Sequence, residues 1–156
     1  MTIAAQSPAS VESPAKTRVA IVEDHPIYAE ALRTSVSGSP DVEVIGVYGS
    51  LREFPLDLEP GAIVLLDLGR PGVRGAQAVA HLVGRGFTPL VISADGERED
   101  VLNAIAAGAR GYLTKPVVVA KLLEAISDAV LTDRPIAKLA STVQPAGSSA
   151  VLEELA

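Results

Sequence analysis

Cysteine and tryptophan are absent from the 156 residues, and only 3% of the residues are aromatic. The absence of cysteine excludes disulfides, thiolate zinc sites and cysteine nucleophiles. A core with so few aromatic side chains has to be built from Ala, Val, Leu and Ile, which suits helices packed on a buried parallel sheet. Basic residues are also few, since 13 Lys and Arg stand against 19 Asp and Glu, a net charge of −6. A broad basic surface for nucleic acid is therefore not expected.

Long hydrophobic runs are missing as well. Charged or turn residues interrupt every apolar stretch before the roughly 20 residues that a membrane span needs. The N-terminal sequence MTIAAQSPASVESPAK lacks the basic segment followed by an apolar one that a signal peptide requires. We therefore expect a soluble cytoplasmic protein that does not associate with a membrane.

The composition divides the chain into a central domain and two ends. Residues 1–16, rich in Ala, Ser and Pro, predict a mobile tail. Residues 17–131 have the pattern of one domain. Residues 132–156 contain a linker-like stretch, STVQPAGSSA, followed by the short end VLEELA. No DNA-binding domain is therefore expected within this chain.

Strand and helix patterns alternate along the central domain. Short apolar runs bounded by turn residues predict five strands, at Val19–Val22, Val42–Val47, Ala62–Leu66, Pro89–Ser93 and Gly111–Thr114. Helical spacing predicts four apolar helix faces: Tyr28, Leu32 and Val36; Val79, Leu82 and Val83; Leu102, Ile105 and Ala106; Leu123, Ile126 and Val130. After the second strand, Ser50 and Glu53 predict a capping box on a helix of one or two turns. The alternation predicts an α/β fold, with a parallel sheet covered on both faces.

Polar residues end or directly follow four of the predicted strands. Sites in parallel sheets lie at the carboxyl ends of the strands, near the point where strand order reverses. Three carboxylates, one hydroxyl and one ammonium are expected to converge there: Glu23, Asp24, Asp67, Ser93 and Lys115. Asp67 ends the apolar run AIVLL, where an unpaired carboxylate is costly, so a purely structural role is not favoured for it.

The three carboxylates repel one another unless a cation lies among them. Hard oxygen ligands, with neither Cys nor a paired His nearby, favour Mg²⁺ or Mn²⁺. With a metal bound, Asp67 could act as a nucleophile toward phosphorus, and Lys115 and Ser93 could contact phosphoryl oxygens. Simpler roles compete for each residue taken alone: a negative charge at a helix start for Glu23 and Asp24, a cap for Ser93, and a surface residue for Lys115.

Four segments resemble the receiver domains of two-component response regulators: AIVEDHP (20–26), VLLDLGRPGVRG (64–75), LVISADGE (90–97) and AAGARGYLTKP (106–116). The resemblance covers about residues 17–131. It implies a flavodoxin-like (βα)5 fold, a doubly wound parallel five-stranded sheet of strand order 2-1-3-4-5. The form VEDHP further resembles the NarL/FixJ-like regulators, in which a receiver precedes a LuxR-type helix-turn-helix domain.

The resemblance also assigns the site. It implies that Asp67 is the phosphoacceptor, receiving a phosphoryl group from a sensor histidine kinase. It implies that Glu23, Asp24 and Asp67 hold Mg²⁺ together with the main-chain carbonyl of Gly69. The first acidic position is Glu rather than the commoner Asp, which lengthens one arm of this metal site.

A switch is the third implication of the resemblance. Ser93 is the switch hydroxyl, Lys115 contacts the phosphoryl group, and Tyr112 is the aromatic switch that fills the space Ser93 vacates. Phosphorylation would bias the surface formed by the fifth strand and the helices before and after it between two packings, which a partner or a second copy of the chain would read. DNA would be contacted only through an attached domain. Apart from its own Mg-dependent phosphorylation and dephosphorylation, the chain is not expected to be an enzyme.

Other functions stay open at this point. One is a stand-alone or degenerate receiver that acts through protein contacts without phosphate. An aspartate-nucleophile phosphohydrolase would need Asp-x-Asp, but Gly69 occupies the second position. A flavodoxin-like cofactor carrier would need a phosphate-binding loop after the first strand, where the sequence EDHPIY is acidic instead.

Overall fold

The computed structural model describes residues 15–68 and 72–131. Within these ranges strands and helices alternate along the chain, as β1 (Thr17–Val22), α1 (Pro26–Ser37), β2 (Val42–Tyr48), β3 (Ile63–Asp67), α2 (Gly72–Gly84), β4 (Thr88–Ser93), α3 (Arg98–Ala107), β5 (Gly111–Thr114) and α4 (Val119–Leu131). Nearly all of the predicted tail, the whole of the predicted linker and Gly69 lie outside the described residues. No helix within those residues has both the length and the apolar composition to cross a membrane.

The five strands form one parallel sheet in the order β2-β1-β3-β4-β5. The predicted α/β class and strand order are thereby confirmed. The chain runs from β1 outward to β2 and then returns to place β3 on the other side of β1. Strand order therefore reverses between β1 and β3, whose carboxyl ends flank the position where ligands bind in sheets of this kind.

The five strands lie where the apolar runs predicted them, with small differences at the ends. Most strands are longer than predicted, since β1 starts at Thr17 and β2 continues to Tyr48. β3 starts at Ile63 and includes Asp67, which was expected to follow it. Asp67 belongs to the strand because it pairs in parallel register with Ile92 of β4. The sheet thus holds the backbone of Asp67 directly.

Each face of the sheet has its own apolar core, because successive strand residues point to opposite sides. One core lies under α2, α3 and the segment after β2 and includes Ala20, Val22, Phe54, Val64, Leu66, Val79, Leu82, Val91, Val101, Ala104 and Tyr112. The other lies under α1 and α4 and includes Val19, Ile21, Leu32, Val36, Leu65, Ile92, Leu113, Leu122, Ala125, Ile126 and Ala129. Both faces are covered, as the alternating pattern predicted.

The predicted helix faces are right for α1 but need correction elsewhere. In α1, Leu32 and Val36 are buried and Tyr28 packs partly buried beside them. In α2, the predicted Val83 is exposed, although the other two predicted residues are buried.

In α3 and α4 the face turned to the sheet is rotated from the predicted one. α3 buries Val101 and Ala104 rather than Leu102, Ile105 and Ala106. α4 buries Leu122, Ala125, Ile126 and Ala129, whereas Leu123 is only partly buried and Val130 is 54% exposed. Both helices carry apolar residues on more than one face, so helical spacing alone does not select the buried one.

The segment after β2 also differs from its prediction. It forms one 3₁₀ turn, Leu51–Glu53, in place of an α-helix, so the second βα unit has no regular helix. The capping box is wrong, because the Ser50 side chain makes no capping hydrogen bond and Glu53 Oε1 instead accepts from the Gly49 N–H at 3.2 Å. Phe54 follows directly and is buried in the core. Its backbone is extended, as expected for the residue before Pro55, and the turn ends there.

Candidate functional site

Three of the predicted charged residues meet at the carboxyl edge of the sheet. Lys115 Nζ lies 2.5 Å from Asp67 Oδ2 and 3.6 Å from Glu23 Oε1. The backbone N–H of Lys115 donates to the carbonyl of Ser93 at 2.8 Å, which ties the segment after β5 to the end of β4. One ammonium group thus joins Asp67, the last residue of β3, to residues that directly follow β1 and β5, although the three span more than ninety positions of sequence.

Strand alternation explains why these three side chains share one side of the sheet. Ile21, Leu65 and Leu113 all belong to the core under α1 and α4. Glu23, Asp67 and Lys115 each follow one of those residues by two positions, and so continue the same face beyond the core.

The site has excess negative charge in a nearly closed environment. The side chains of Glu23 and Asp67 are 0% and 5% exposed, and that of Lys115 is 23% exposed. Glu23 Oε1 and Asp67 Oδ2 are buried and accept no hydrogen bond of regular geometry. Two carboxylates therefore face one ammonium, and a site of this charge and these oxygen ligands fits a divalent cation.

Tyr28 completes the surroundings of the ammonium. The Lys115 Nζ lies 4.2 Å from the centroid of the Tyr28 ring, within the range of a cation–π contact. Burial raises the pKa of the Tyr28 hydroxyl, and the nearby Lys115 charge opposes that rise. Helical spacing predicted Tyr28 only as part of a helix face. Its position one helical turn after the acidic pair is the sequence signal that could have placed Tyr28 at the site.

The acidic pair stands at the start of α1. His25 occupies the N-cap position and Pro26 the first turn, as expected for a helix-start segment. The His25 N–H donates to Glu23 Oε2 at 2.9 Å, and His25 Nδ1 lies 3.1 Å from both Glu23 Oε2 and Asp24 Oδ1. The side-chain ligand atoms of Glu23, Asp24 and His25 all lie within 4.8 Å of one another. The contact of His25 with both carboxylates was not predicted.

Ser93 and Tyr112 belong to the other side of the sheet edge. Ser93 is fully buried, and its Oγ accepts a hydrogen bond from the Asp95 N–H at 3.0 Å. The Tyr112 hydroxyl donates to the Asp95 carbonyl at 2.6 Å. Burial raises the pKa of Tyr112 to about 12, with hydrogen bonding to Ser93 acting in the opposite direction. Asp95, which was not predicted as a site residue, therefore links the two predicted switch residues.

The family of the chain follows from this fold and from comparison with known proteins. The structure is a doubly wound parallel sheet with carboxylates and a lysine at its switch point. A family model described as the response regulator receiver domain matches residues 19–127. The chain belongs to this family of signalling modules of two-component systems.

Curated relatives include proteins of the kind expected from the resemblance. The nitrate/nitrite response regulator protein NarL of Escherichia coli K12 is 30% identical over 116 residues, covering 71% of this chain and 53% of that protein. The positive alginate biosynthesis regulatory protein of Pseudomonas aeruginosa is 36% identical over 134 residues, covering 83% of this chain and 53% of that protein. The sensory/regulatory protein RpfC of Xanthomonas campestris is 41% identical over 105 residues, covering 60% of this chain but 14% of its own length. The chain thus spans about half of the first two relatives.

Solved structures agree with the sequence matches. The signal receiver domain of a NarL response regulator from Mycobacterium tuberculosis has a TM-score of 0.61 and 29% identity, covering 76% of this chain and 98% of that one. A LuxR-family two-component response regulator from Aurantimonas has a TM-score of 0.65 and 27% identity, covering 90% and 98%. The resemblance to receivers of the NarL type is thereby confirmed.

Proposed function

We propose that this chain is a phosphorylation switch that accepts a phosphoryl group from a sensor histidine kinase on Asp67. The single observation that carries the proposal is the ion pair of 2.5 Å between Lys115 Nζ and Asp67 Oδ2 at the switch point of the sheet. A lysine so close to a nearly buried carboxylate is placed to contact a group added to that carboxylate. The receiver domain is taken as residues 17–131, which contain the whole family match.

Magnesium is the proposed cofactor, with Mn²⁺ as a substitute. Glu23, Asp24, Asp67 and the main-chain carbonyl of Gly69 would hold it. The buried oxygens Glu23 Oε1 and Asp67 Oδ2 have only the one Lys115 ammonium between them and accept no hydrogen bond of regular geometry, so they fit a hard cation. The bound metal supplies positive charge for phosphoryl oxygens at the acceptor.

The chemical step is a substitution at phosphorus. An Asp67 carboxylate oxygen forms a bond to phosphorus, and the N–P bond of the donor phosphohistidine breaks, with its electron pair returning to the imidazole nitrogen. Lys115 is within reach to follow the new charge from the carboxylate to a phosphoryl oxygen. The histidine kinase supplies the phosphoryl group, and this chain supplies the acceptor and its electrostatic surroundings.

Signal transmission would use Ser93 and Tyr112. If Ser93 Oγ turns toward the phosphoryl group, the Asp95 N–H loses its present acceptor. The Asp95 carbonyl also holds the Tyr112 hydroxyl, so movement of this residue changes the anchor of the buried ring. The surface formed by α3, β5 and α4 would then shift between two populated packings.

The output would depend on other parts of a complete regulator. We infer that an attached module, of the transcriptional kind, contacts DNA, and that the receiver controls it through self-association or release. Phosphorylation would favour a homodimer. Light scattering with and without beryllofluoride tests self-association, and unchanged mass over a wide concentration range would count against it. Gel-shift measurements at about physiological salt test DNA binding by this chain, which should show no nanomolar affinity for one sequence.

The decisive experiment is phosphorylation by a small donor. The protein is incubated with Mg²⁺ and acetyl phosphate, and its intact mass is measured. We expect a gain of one phosphoryl group in the wild type and in the control variant Asp57→Ala, whose carboxylate is exposed on a loop, but not in Asp67→Ala. No gain with any divalent metal would favour a degenerate receiver. Release of phosphate from a phosphate monoester, which is not a donor for acyl phosphate formation on a receiver, would favour the phosphohydrolase alternative.

A further inference from the structure

The Lys115 ammonium contacts an aromatic ring as well as two carboxylates. Two of its neighbours are the acidic groups of Asp67 and Glu23, at 2.5 and 3.6 Å. The third is the ring of Tyr28, with 4.2 Å between Nζ and the ring centroid. A lysine side chain has four flexible torsions and a strongly hydrated head, so its position depends on all the groups that compete with water for the ammonium.

Tyr28 is itself fixed in place by the fold. It lies in the first turn of α1, where Pro26 starts the helix directly after the acidic pair. Its side chain is partly buried and packs against the core under α1 and α4. The ring is thus anchored on the same side of the sheet as Glu23, Asp67 and Lys115.

We propose that Tyr28 is a positioning residue for phosphorylation, whose ring face keeps the Lys115 ammonium at Asp67 and away from solvent. This inference rests on the proposed function of Asp67 as phosphoacceptor. The ring quadrupole attracts a cation over its face. The hydroxyl is not needed for this attraction, so the ring rather than the phenol is the functional part.

Two kinds of variant separate the effect of the aromatic ring face from the effect of apolar side-chain bulk. Tyr28→Phe retains the ring face and lacks only the hydroxyl. Tyr28→Leu and Tyr28→Met retain apolar bulk and lose the ring, and having two such variants covers the case that one of them folds poorly. Each is made in the wild type and in Lys115→Ala, because a residue that acts through Lys115 has no effect once that ammonium is gone.

The first measurement is the rate of phosphorylation by acetyl phosphate with saturating Mg²⁺. Cation–π contacts at partly exposed sites correspond to about a two- to fivefold effect, so we expect Tyr28→Leu and Tyr28→Met to slow the reaction by that factor. Tyr28→Phe should restore most of the rate. In the Lys115→Ala background the Leu and Met substitutions should leave the remaining rate unchanged.

The second measurement needs no phosphorylation. In NMR spectra of the unmodified protein, we expect the Lys115 ε-methylene protons to resonate upfield, because their carbon is bonded to the Nζ that lies 4.2 Å from the ring centroid. The shift should persist in Tyr28→Phe. Absence of the upfield shift in the wild type overturns the inference. An equal loss of phosphorylation rate with and without Lys115 also overturns the inference, since that pattern belongs to a structural role. A loss of rate in Tyr28→Phe as large as in Tyr28→Leu overturns it as well. If the wild type accepts no phosphoryl group, the proposed function fails and the positioning role fails with it, while the spectra still decide whether the contact exists.

Discussion

Replacement of Tyr112 by Phe removes one hydroxyl from a ring that is fully buried at the end of the sheet. That hydroxyl donates to the Asp95 carbonyl at 2.6 Å. Loss of a hydrogen bond of this kind lowers the free energy of unfolding by about 1 kcal/mol. The ring itself is retained, so the core under α2 and α3 loses no packing volume. Urea denaturation at neutral pH measures the difference between the two proteins.

The same substitution changes the dependence of stability on pH. The pKa of Tyr112 is about 12 in the folded protein, against an ordinary value of 10.0. Between these values the unfolded chain gives up the phenolic proton while the native protein retains it, so the unfolded state binds fewer protons and stability falls as pH rises. The protonated Tyr112 hydroxyl contributes to the free energy of unfolding in full below pH 10.0, and this contribution is lost as pH approaches about 12. Its size is on the order of 2 to 3 kcal/mol.

The two effects together give a distinctive curve. At neutral pH the wild type should be the more stable protein, and above about pH 10 its advantage over Tyr112→Phe should shrink and then reverse. Other titrating groups are common to both proteins and cancel in the difference. A difference that stays constant from neutral pH to about pH 12 would refute the assignment of a buried, hydrogen-bonded Tyr112.

Three further outcomes are expected. Asp24→Asn should weaken Mg²⁺ binding in an NMR titration because a charged ligand is lost, and an unchanged affinity would contradict the metal site. Lys115→Ala should still accept a phosphoryl group, yet the phosphate-dependent chemical shifts of Tyr112 should diminish. Identical shifts in the variant and the wild type would count against the role of Lys115 in the switch. Gly108→Ala should destabilise the protein by more than about 1 kcal/mol in urea denaturation, because Gly108 has φ +114° and a Cβ there would lie 2.8 Å from Val83 Cγ2. Gly84→Ala, with nothing within 4 Å, is the control and should cost much less.

Local sequence patterns determined the strands and therefore the sheet. Buried parallel strands are nearly continuous runs of Val, Ile and Leu, and such runs stand out between turn residues. The polar residues after those runs could be assigned to one edge because parallel strands end on the same side. The family resemblance supplied the strand order and the roles of Asp67, Ser93 and Lys115. The positions of those residues follow from the strands alone.

The orientation of the outer helices was decided only by packing. α4 has apolar side chains on two faces, so the spacing of Leu123 and Val130 fits a helix as well as that of Leu122 and Ala129 does. The face that contains Ala125 and Ala129 lies on the sheet, and small side chains there leave little bulk between helix and strands. The capping box fails for a different reason: Phe54 is extended at φ −69° and ψ 125°, as expected for a residue that precedes proline, so the turn at Leu51–Glu53 does not continue into an α-helix.

The contacts within the site also required the tertiary structure. The sequence determined which charged groups reach the edge of the sheet, but not that the Lys115 ammonium lies 2.5 Å from Asp67 and over the ring of Tyr28. It did not determine that Asp95 receives the hydroxyl of Tyr112. Side-chain torsions of residues far apart in sequence are set by the space and charge that the packed elements leave between them, and no local pattern records that space.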